Sequence, residues 1–275
     1  MTSPALQELI ALLGCPAAGN PAQYLFERAI TAAELDWRFV TCEVAAGNVA
    51  AAIAGVGALG FRGCVLSGPL REAALPLVAA ASPTATFSGA VSLIEQRPEG
   101  LVGHMTDGRG IVEALRAHVD PAGKSVLIVG ADACGRAAAL ELALAGASRL
   151  LVCDPQAERT LALVDALTGV HAVEASMLEW QAAIALPDQV GIIVLAPLSG
   201  HKSAFMELRR EVFVADAVLA GHLSPAAAQA ADQGCCVVDG IEIHAAQTAI
   251  DFHALSGVEP DAEMLRDALE EFLSE

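Results

Sequence analysis

The sequence predicts an α/β protein of two domains, an α/β domain in the first half and a doubly wound parallel sheet in the second. Length is the first observation behind this. At 275 residues the chain can bury two cores, since a single domain takes about 100–200 residues. The second observation is a regular alternation, from Lys124 onward, of short β-branched or leucine-rich runs with Ala-rich helical stretches. The third is a glycine-bearing turn, GADACG (130–135), that joins the first of those runs directly to its helix.

In order, the first half reads as the strand ELIALLG, a helix over about 22–35, the strand WRFVTCEV, a helix over about 47–58, the strand GCVLS and a helix over about 70–81. These elements require a sheet of their own. The second half reads as SVLIVG (125–130), a helix over 133–146, RLLVCD (149–154) and a helix over 156–168, which is a βαβ unit. VHAVEA, GIIVLA, VFVADAVL and CCVVDG continue it at intervals of roughly 20 residues, the spacing of a parallel sheet wound on both faces. After Gly240, IEIHAAQTAIDFHALSG reads as one amphipathic helix ending at Gly257, and EPDAEMLRDALEEFL as another. Neither adds a strand, so both are expected to pack back on the first domain, giving domains of 1–103 plus 240–275 and of 104–239.

Composition narrows the partners. Hydrophobic residues are 55% of the chain and mean hydropathy is +0.52, yet no apolar run reaches the roughly 18 residues a membrane helix needs. The apolar excess is therefore core. A formal net charge of −18 repels phosphate backbones and anionic lipid, which excludes nucleic acid and membrane as partners and leaves a small-molecule substrate, with a homodimer as the assembly considered. The seven cysteines show no CxxC or Cys/His ligand spacing and read as reduced core thiols, with no metal. The N-terminal MTSPALQELIALLG carries acid and no basic segment, so it is not read as a signal peptide and the cytoplasm is the expected compartment.

The turn after SVLIVG places Gly130, Ala131 and Gly135 where a pyrophosphate would meet a helix N-terminus, the arrangement of a Rossmann-type dinucleotide site. Its middle glycine is replaced by Asp132, which brings bulk and a like charge to the phosphate. The second strand ends at Asp154, 24 positions after Gly130, near the roughly 20 expected for the acid that binds an adenosine ribose. A carboxylate there accepts from the ribose 2′-OH and repels a 2′-phosphate, so NAD is expected over NADP. Asp154 also suits an N-cap, with Pro155 at the first helical position.

Taken together, the motifs resemble those of the shikimate and quinate dehydrogenase family over nearly the whole chain. GFRGCVLSGPLREAALPL (60–77) is similar to the family's G-F-x-G-x-N-V-T-x-P-x-K-E, GAVSL (89–93) to G-A-V-N-T, GHMTDGRGIVEAL (103–115) to G-x-N-T-D-G-x-G-F, and DGIEIHAAQTAIDFHALSG (239–257) to the terminal G-x-x-M-L-x-x-Q helix. The resemblance implies that the first domain binds substrate and that a hydroxylated ring carboxylate lies between domains, its reacting hydroxyl flanked by a Lys and an Asp. Asp107 matches that Asp, and alternatively caps the helix starting near Gly108. Gln247 matches the substrate-binding Gln, on an otherwise apolar helix face.

The matches also mark departures. Arg71 stands at the catalytic lysine's place, and no lysine precedes Lys124. A guanidinium stays protonated, so Arg71 can stabilise an alkoxide or carboxylate but cannot serve as the base that a desolvated lysine provides. The family's Ser-x-Ser becomes Asn20 and Ala22, and its three asparagines become Val65, Ser92 and Met105, while Ser67 keeps a hydroxyl where the family has Thr. His104, beside Met105, is the histidine placed to assist Asp107. Three readings follow: an NAD-linked dehydrogenase of a hydroxylated ring acid or related alcohol; a ligand-binding protein that retains this fold without turnover; and a tetrahydrofolate-type dehydrogenase, against which the Gln247 helix and the TDG motif argue.

Overall fold

The computed structural model describes residues 7–170, 173–198 and 201–274. The first six residues of the N-terminal segment, and His171 and Ala172 of VHAVEA, lie outside the described residues. In chain order the elements are β1 (Glu8–Gly14), α1 (Ala22–Ala32), β2 (Trp37–Glu43), α2 (Val49–Ala58), β3 (Gly63–Leu66), α3 (Leu70–Ala74), β4 (Ala80–Ala81), α4 (Pro83–Ser88), β5 (Leu93–Arg97) and β6 (Gly100–His104). They continue with α5 (Asp107–Arg116), β7 (Ser125–Val129), α6 (Ala133–Leu144), β8 (Arg149–Cys153), α7 (Ala157–Leu167), β9 (Glu174–Met177), β10 (Val190–Leu195), β11 (Phe213–Asp216), α8 (Pro225–Asp232), β12 (Cys236–Val238), α9 (Gly240–Ser256) and α10 (Ala262–Ser274). The chain divides into two compact units, residues 1–106 with 248–275, and residues 107–247.

The first unit holds a six-stranded mixed sheet in the order β2-β1-β3-β5-β6-β4. β1 pairs in parallel with β2 and β3, whereas β5 is antiparallel to both β3 and β6. The antiparallel pair is a hairpin that the alternation of the first half does not announce: it closes over Pro98 and Glu99, and Gly100, the first residue of β6, takes a positive φ of 125°. The helix expected over 70–81 stops at Ala74. Pro76 turns the next residues into one 3₁₀ turn, Leu75–Leu77, and the chain then enters β4. The C-terminal α10 lies on α1, with Arg28 paired to Glu271 at 2.9 Å and Tyr24 against Phe272.

The second unit is a parallel sheet in the order β12-β11-β10-β7-β8-β9. β7, at its centre, is buried at every position, as a strand covered by helices on both faces must be. Leu127, Val129, Ile193, Leu195, Val214 and Ala227 pack into one core, and truncating such a buried Leu or Ile to Ala costs roughly 2–5 kcal/mol. The strand order reverses direction between β7 and β10, so a crevice opens beyond their carboxyl ends, which is where ligands of open α/β sheets bind. Among the described residues, no helix is long and apolar enough to cross a membrane, and no group of His, Cys, Asp and Glu could hold a metal ion.

Candidate functional site

In the second unit the β7–α6 turn keeps the backbone of a dinucleotide turn. Gly130 sits at φ 104°, open to glycine alone at low cost, and a Cβ on Gly135 would run into the Gly130 carbonyl. Asp132 is the N-cap of α6: its carboxylate accepts from the Gly135 N–H at 2.9 Å. The helix N-terminus that would face a phosphate therefore already carries an internal anion. Burial raises the Asp132 pKa above the usual carboxylate range, and the nearby Asp107 and Asp154 carboxylates add to this, while the Gly135 N–H and the Arg159 charge oppose it.

Asp154, at the end of β8, is buried and serves the same turn. One of its oxygens accepts from the Ala131 N–H and the other from the Gln156 N–H, each at 2.8 Å. It does not cap α7, which begins only at Ala157, so Pro155 lies in the turn and not at the first helical position. Each carboxylate oxygen has a second lone pair, so a ribose hydroxyl can still be accepted.

Asp107 opens α5 and is buried, and Gln247 of α9 donates from Nε2 to Asp107 Oδ1 at 2.7 Å. Two glycines bring these residues together. A Cβ on Gly108 would run into the Ala137 carbonyl of α6, and one on Gly110 would come within 2.8 Å of the Gln247 Cβ, so α5 accepts both neighbouring helices at backbone contact. The TDGRG motif thus has a packing reason. Asp107 also lies close enough to Asp132 to raise its pKa, which puts Asp107, Gln247, Asp132 and Asp154 in one neighbourhood.

Beyond the carboxyl ends of β10 and β11 lies a cavity of about 230 Å³, lined by the apolar Leu195, Ala196 and Val218 and edged by His201, Lys202 and His222. Sequence reading had no signal for these three residues, because they sit in loops that carry no motif.

In the first unit, Arg71 lies in α3 and donates from Nε to the Leu66 carbonyl at 2.9 Å. The Ser67 hydroxyl, at the carboxyl end of β3, is buried without a hydrogen-bond partner and lies against Gly14. Asn20 accepts from the Ala22 N–H at 2.9 Å and so shapes the entry to α1. Ser92 is fully buried, its hydroxyl accepting from the Thr106 N–H and bonded to the Thr106 hydroxyl, both at 2.9 Å. His104 pairs with Glu95 at 3.2 Å, and Glu95 also takes Arg97 at 2.9 Å. All seven cysteines are free thiols, and burial pushes Cys64 up to about 12 and Cys153 up to about 11.

Residues 12–94 match the family model described as the shikimate dehydrogenase substrate binding domain. The NADP(+) shikimate dehydrogenase of Citrifermentans bemidjiense is 30% identical over 280 residues, covering 98% of this chain and 97% of that protein. The chain belongs to the shikimate dehydrogenase family. The family's Moorella thermoacetica NADP(+) enzyme is 38% identical over 162 residues; that match takes in 58% of this chain and spans little more than half, 55%, of the relative's length. Among solved structures, the ligand-free 5-ketofructose reductase of Gluconobacter sp. strain CHM43 is similar with a TM-score of 0.90 at 28% identity, over 97% of this chain and 99% of that one. Membership gives the chain a first domain of the substrate-binding type and a Rossmann-like second.

Proposed function

We propose that this family member is a nicotinamide-dependent dehydrogenase or reductase of a hydroxylated ring carboxylate or a related polyhydroxy alcohol or ketone, and that it takes NAD in preference to NADP. The observation that carries the reading is the buried hydrogen bond from Gln247 to Asp107, since it joins two residues 140 positions apart, each matched by a family motif, beside the dinucleotide turn. Gln247 fixes the carboxylate orientation. Asp107 accepts or orients the proton of the reacting hydroxyl, while Arg71 holds the developing alkoxide or a substrate carboxylate and the Ser67 hydroxyl binds the polyol. Nicotinamide, when bound, takes up or supplies the hydride. Ser92 and Asn20 support the substrate loops through the internal hydrogen bonds described above.

The cofactor preference rests on Asp154. The relatives named above are NADP(+) enzymes, and a 2′-phosphate calls for cations, but here the second strand ends in a buried carboxylate bonded into the turn. Calorimetric titration is expected to show NAD bound about tenfold more tightly than NADP, a difference of about 1.4 kcal/mol. Tighter binding of NADP would remove Asp154 from this role. Failure of either cofactor to be turned over with a panel of ring hydroxy acids, polyols and ketoses would remove the enzymatic reading itself.

Asp132 should hold that affinity down. Asp132→Asn keeps a capping oxygen and removes the charge, so NAD is expected to bind about fivefold more tightly, which corresponds to about 1 kcal/mol for a like-charge contact near a surface. The wild-type pKa is raised, so the carboxylate neutralises as pH falls through a range above that of an ordinary Asp. Wild-type affinity should climb towards that of the variant on acidification, while the variant's stays level. A parallel pH response in both proteins would show that Asp132 is remote from the phosphates.

A further inference from the structure

We infer that Ser92 is a positioning residue: its buried hydroxyl holds Thr106, and through Thr106 it fixes where Asp107 starts α5. This rests on the dehydrogenase reading above and deepens it, giving Ser92 a task inside the protein in place of a contact with substrate.

The Ser92 hydroxyl is committed. The residue is 0% exposed, and its Oγ accepts from the Thr106 N–H and is bonded to the Thr106 hydroxyl, both at 2.9 Å, with the His104 carbonyl within 3.4 Å as a further acceptor for its proton. One donor and two lone pairs are all that a hydroxyl has. A side chain this deep, with its bonds spent on its own chain, is not a ligand for a substrate.

The backbone that carries it is equally well placed. The Ser92 N–H donates to the His104 carbonyl and the Leu66 N–H donates to the Ser92 carbonyl, both at 2.8 Å. Beside it, the Val91 N–H donates to the Arg71 carbonyl at 2.9 Å, and Arg71 Nε donates to the Leu66 carbonyl at 2.9 Å. Leu66, Arg71, Val91 and Ser92 thus form a closed ring of bonds, completed by the Val91–Ser92 peptide. Val91 is wedged as well, since a Cβ on Gly103 would come within 2.8 Å of its Cγ2. Satisfied buried networks of this kind are stiff, which makes the Ser92 Oγ a fixed point.

What that point holds is a stretch with no other frame. His104 ends β6 and Asp107 begins α5, so Met105 and Thr106 belong to no ladder and no helix. Thr106 is buried, and its N–H is satisfied by Ser92 alone. The next peptide bond leads to Asp107, whose carboxylate is held by Gln247 at 2.7 Å. Asp107 is therefore secured at its side chain by Gln247 and at its backbone, through Thr106, by Ser92. Misplacing a reacting group by about 1 Å can cost about 10²-fold in rate.

The test is steady-state kinetics of the full chain with NAD or NADH and a panel of ring hydroxy acids, polyols and ketoses, beside calorimetric titration with NAD and thermal unfolding. Ser92→Ala should lower kcat by about 10²-fold while KM and NAD affinity stay at wild-type values. Thr106→Val keeps the N–H bond and loses the hydroxyl, so its kcat should fall about tenfold, and Thr106→Ser, which restores the hydroxyl, should recover it. In an Asp107→Asn background Ser92→Ala should add little further loss, because both changes act on one group. Ile53→Val in α2 removes stability from the core of the same unit and should leave kcat unchanged. Wild-type kcat in Ser92→Ala overturns the inference, as does a raised KM at unchanged kcat, which would make Ser92 a substrate contact. Losses that multiply with Asp107→Asn, or an equal fall in Ile53→Val, overturn it too. Should Ser92→Ala not fold, the two Thr106 variants decide, and equal rates in both sink the proposal. A wild type that turns over nothing in the panel refutes the dehydrogenase reading and this inference with it, whereas turnover that ignores Ser92 refutes the inference alone.

Discussion

Asp107→Asn is expected to lower turnover by about 10²–10⁴-fold with whatever alcohol or ketone supports the wild-type rate, the range that general acid–base groups supply. The substitution is close to isosteric, and its side-chain oxygen can still accept from Gln247 Nε2, as Asp107 Oδ1 does at 2.7 Å. Fold and binding should therefore survive. The loss should fall on kcat and not on KM, because a proton acceptor acts mainly in the transition state whereas a merely structural residue would disturb both. Gln247→Glu supplies the contrast: it places a second carboxylate against a buried one, so both resist ionisation together, and the rate should shift to higher pH. A kcat for Asp107→Asn within a factor of a few of wild type, measured by NADH absorbance, would reduce Asp107 to an element of helix packing.

That pairing shows how far the sequence could be read. Asp107 and Gln247 each emerge from a motif, and the glycines of TDGRG foretell close packing, but which helices meet at Gly108 and Gly110 is a matter of tertiary contact. The parallel sheet of the second unit follows from periodicity because its strands are buried on both faces and read as unbroken apolar runs. The hairpin of β5 and β6 is hidden by Glu95, Gln96 and Arg97, polar residues on a strand whose charges meet in the Glu95–His104–Arg97 group. The helix placed over 70–81 fails at Pro76, where a helix-period pattern continues across a residue that cannot donate. Asp154 was legible as a ribose ligand or a cap. Its engagement with the Ala131 N–H was not, since a hydrogen bond between the ends of two strands leaves no trace in spacing. His201, Lys202 and His222 at the cavity were illegible because they lie in loops that carry no motif.

Shikimate and quinate themselves should be oxidised at pH 7 at a rate at least about 10²-fold below that of a family enzyme carrying the lysine, with either cofactor, because Arg71 cannot accept a proton there and such groups contribute about 10²–10⁴-fold. Arg71→Lys alone should leave most of that deficit. The Arg71 Nε–H is already committed to the Leu66 carbonyl at 2.9 Å, an anchor within its own βα turn that a lysine, with its terminal ammonium as the sole donor, does not reproduce. The deficit also lies elsewhere in the first unit. Val65 and Met105 replace asparagines and bring no donor, Met105 is buried, and Ser92, at the third asparagine's place, has its hydroxyl bonded to Thr106. A polyol is held for hydride transfer by several hydrogen bonds at once, and misplacement by about 1 Å can cost 10²-fold. Restoring one amine therefore leaves the hydroxyl badly placed, and the double change with Val65→Asn should gain more than the two single changes add up to, as coupled neighbours in one site do. Rapid shikimate-dependent NADH or NADPH formation by the unmodified protein would show that the chemistry does not need the lysine that Arg71 replaces, and full recovery with Arg71→Lys alone would show that the lost asparagines carry no part of the substrate's positioning.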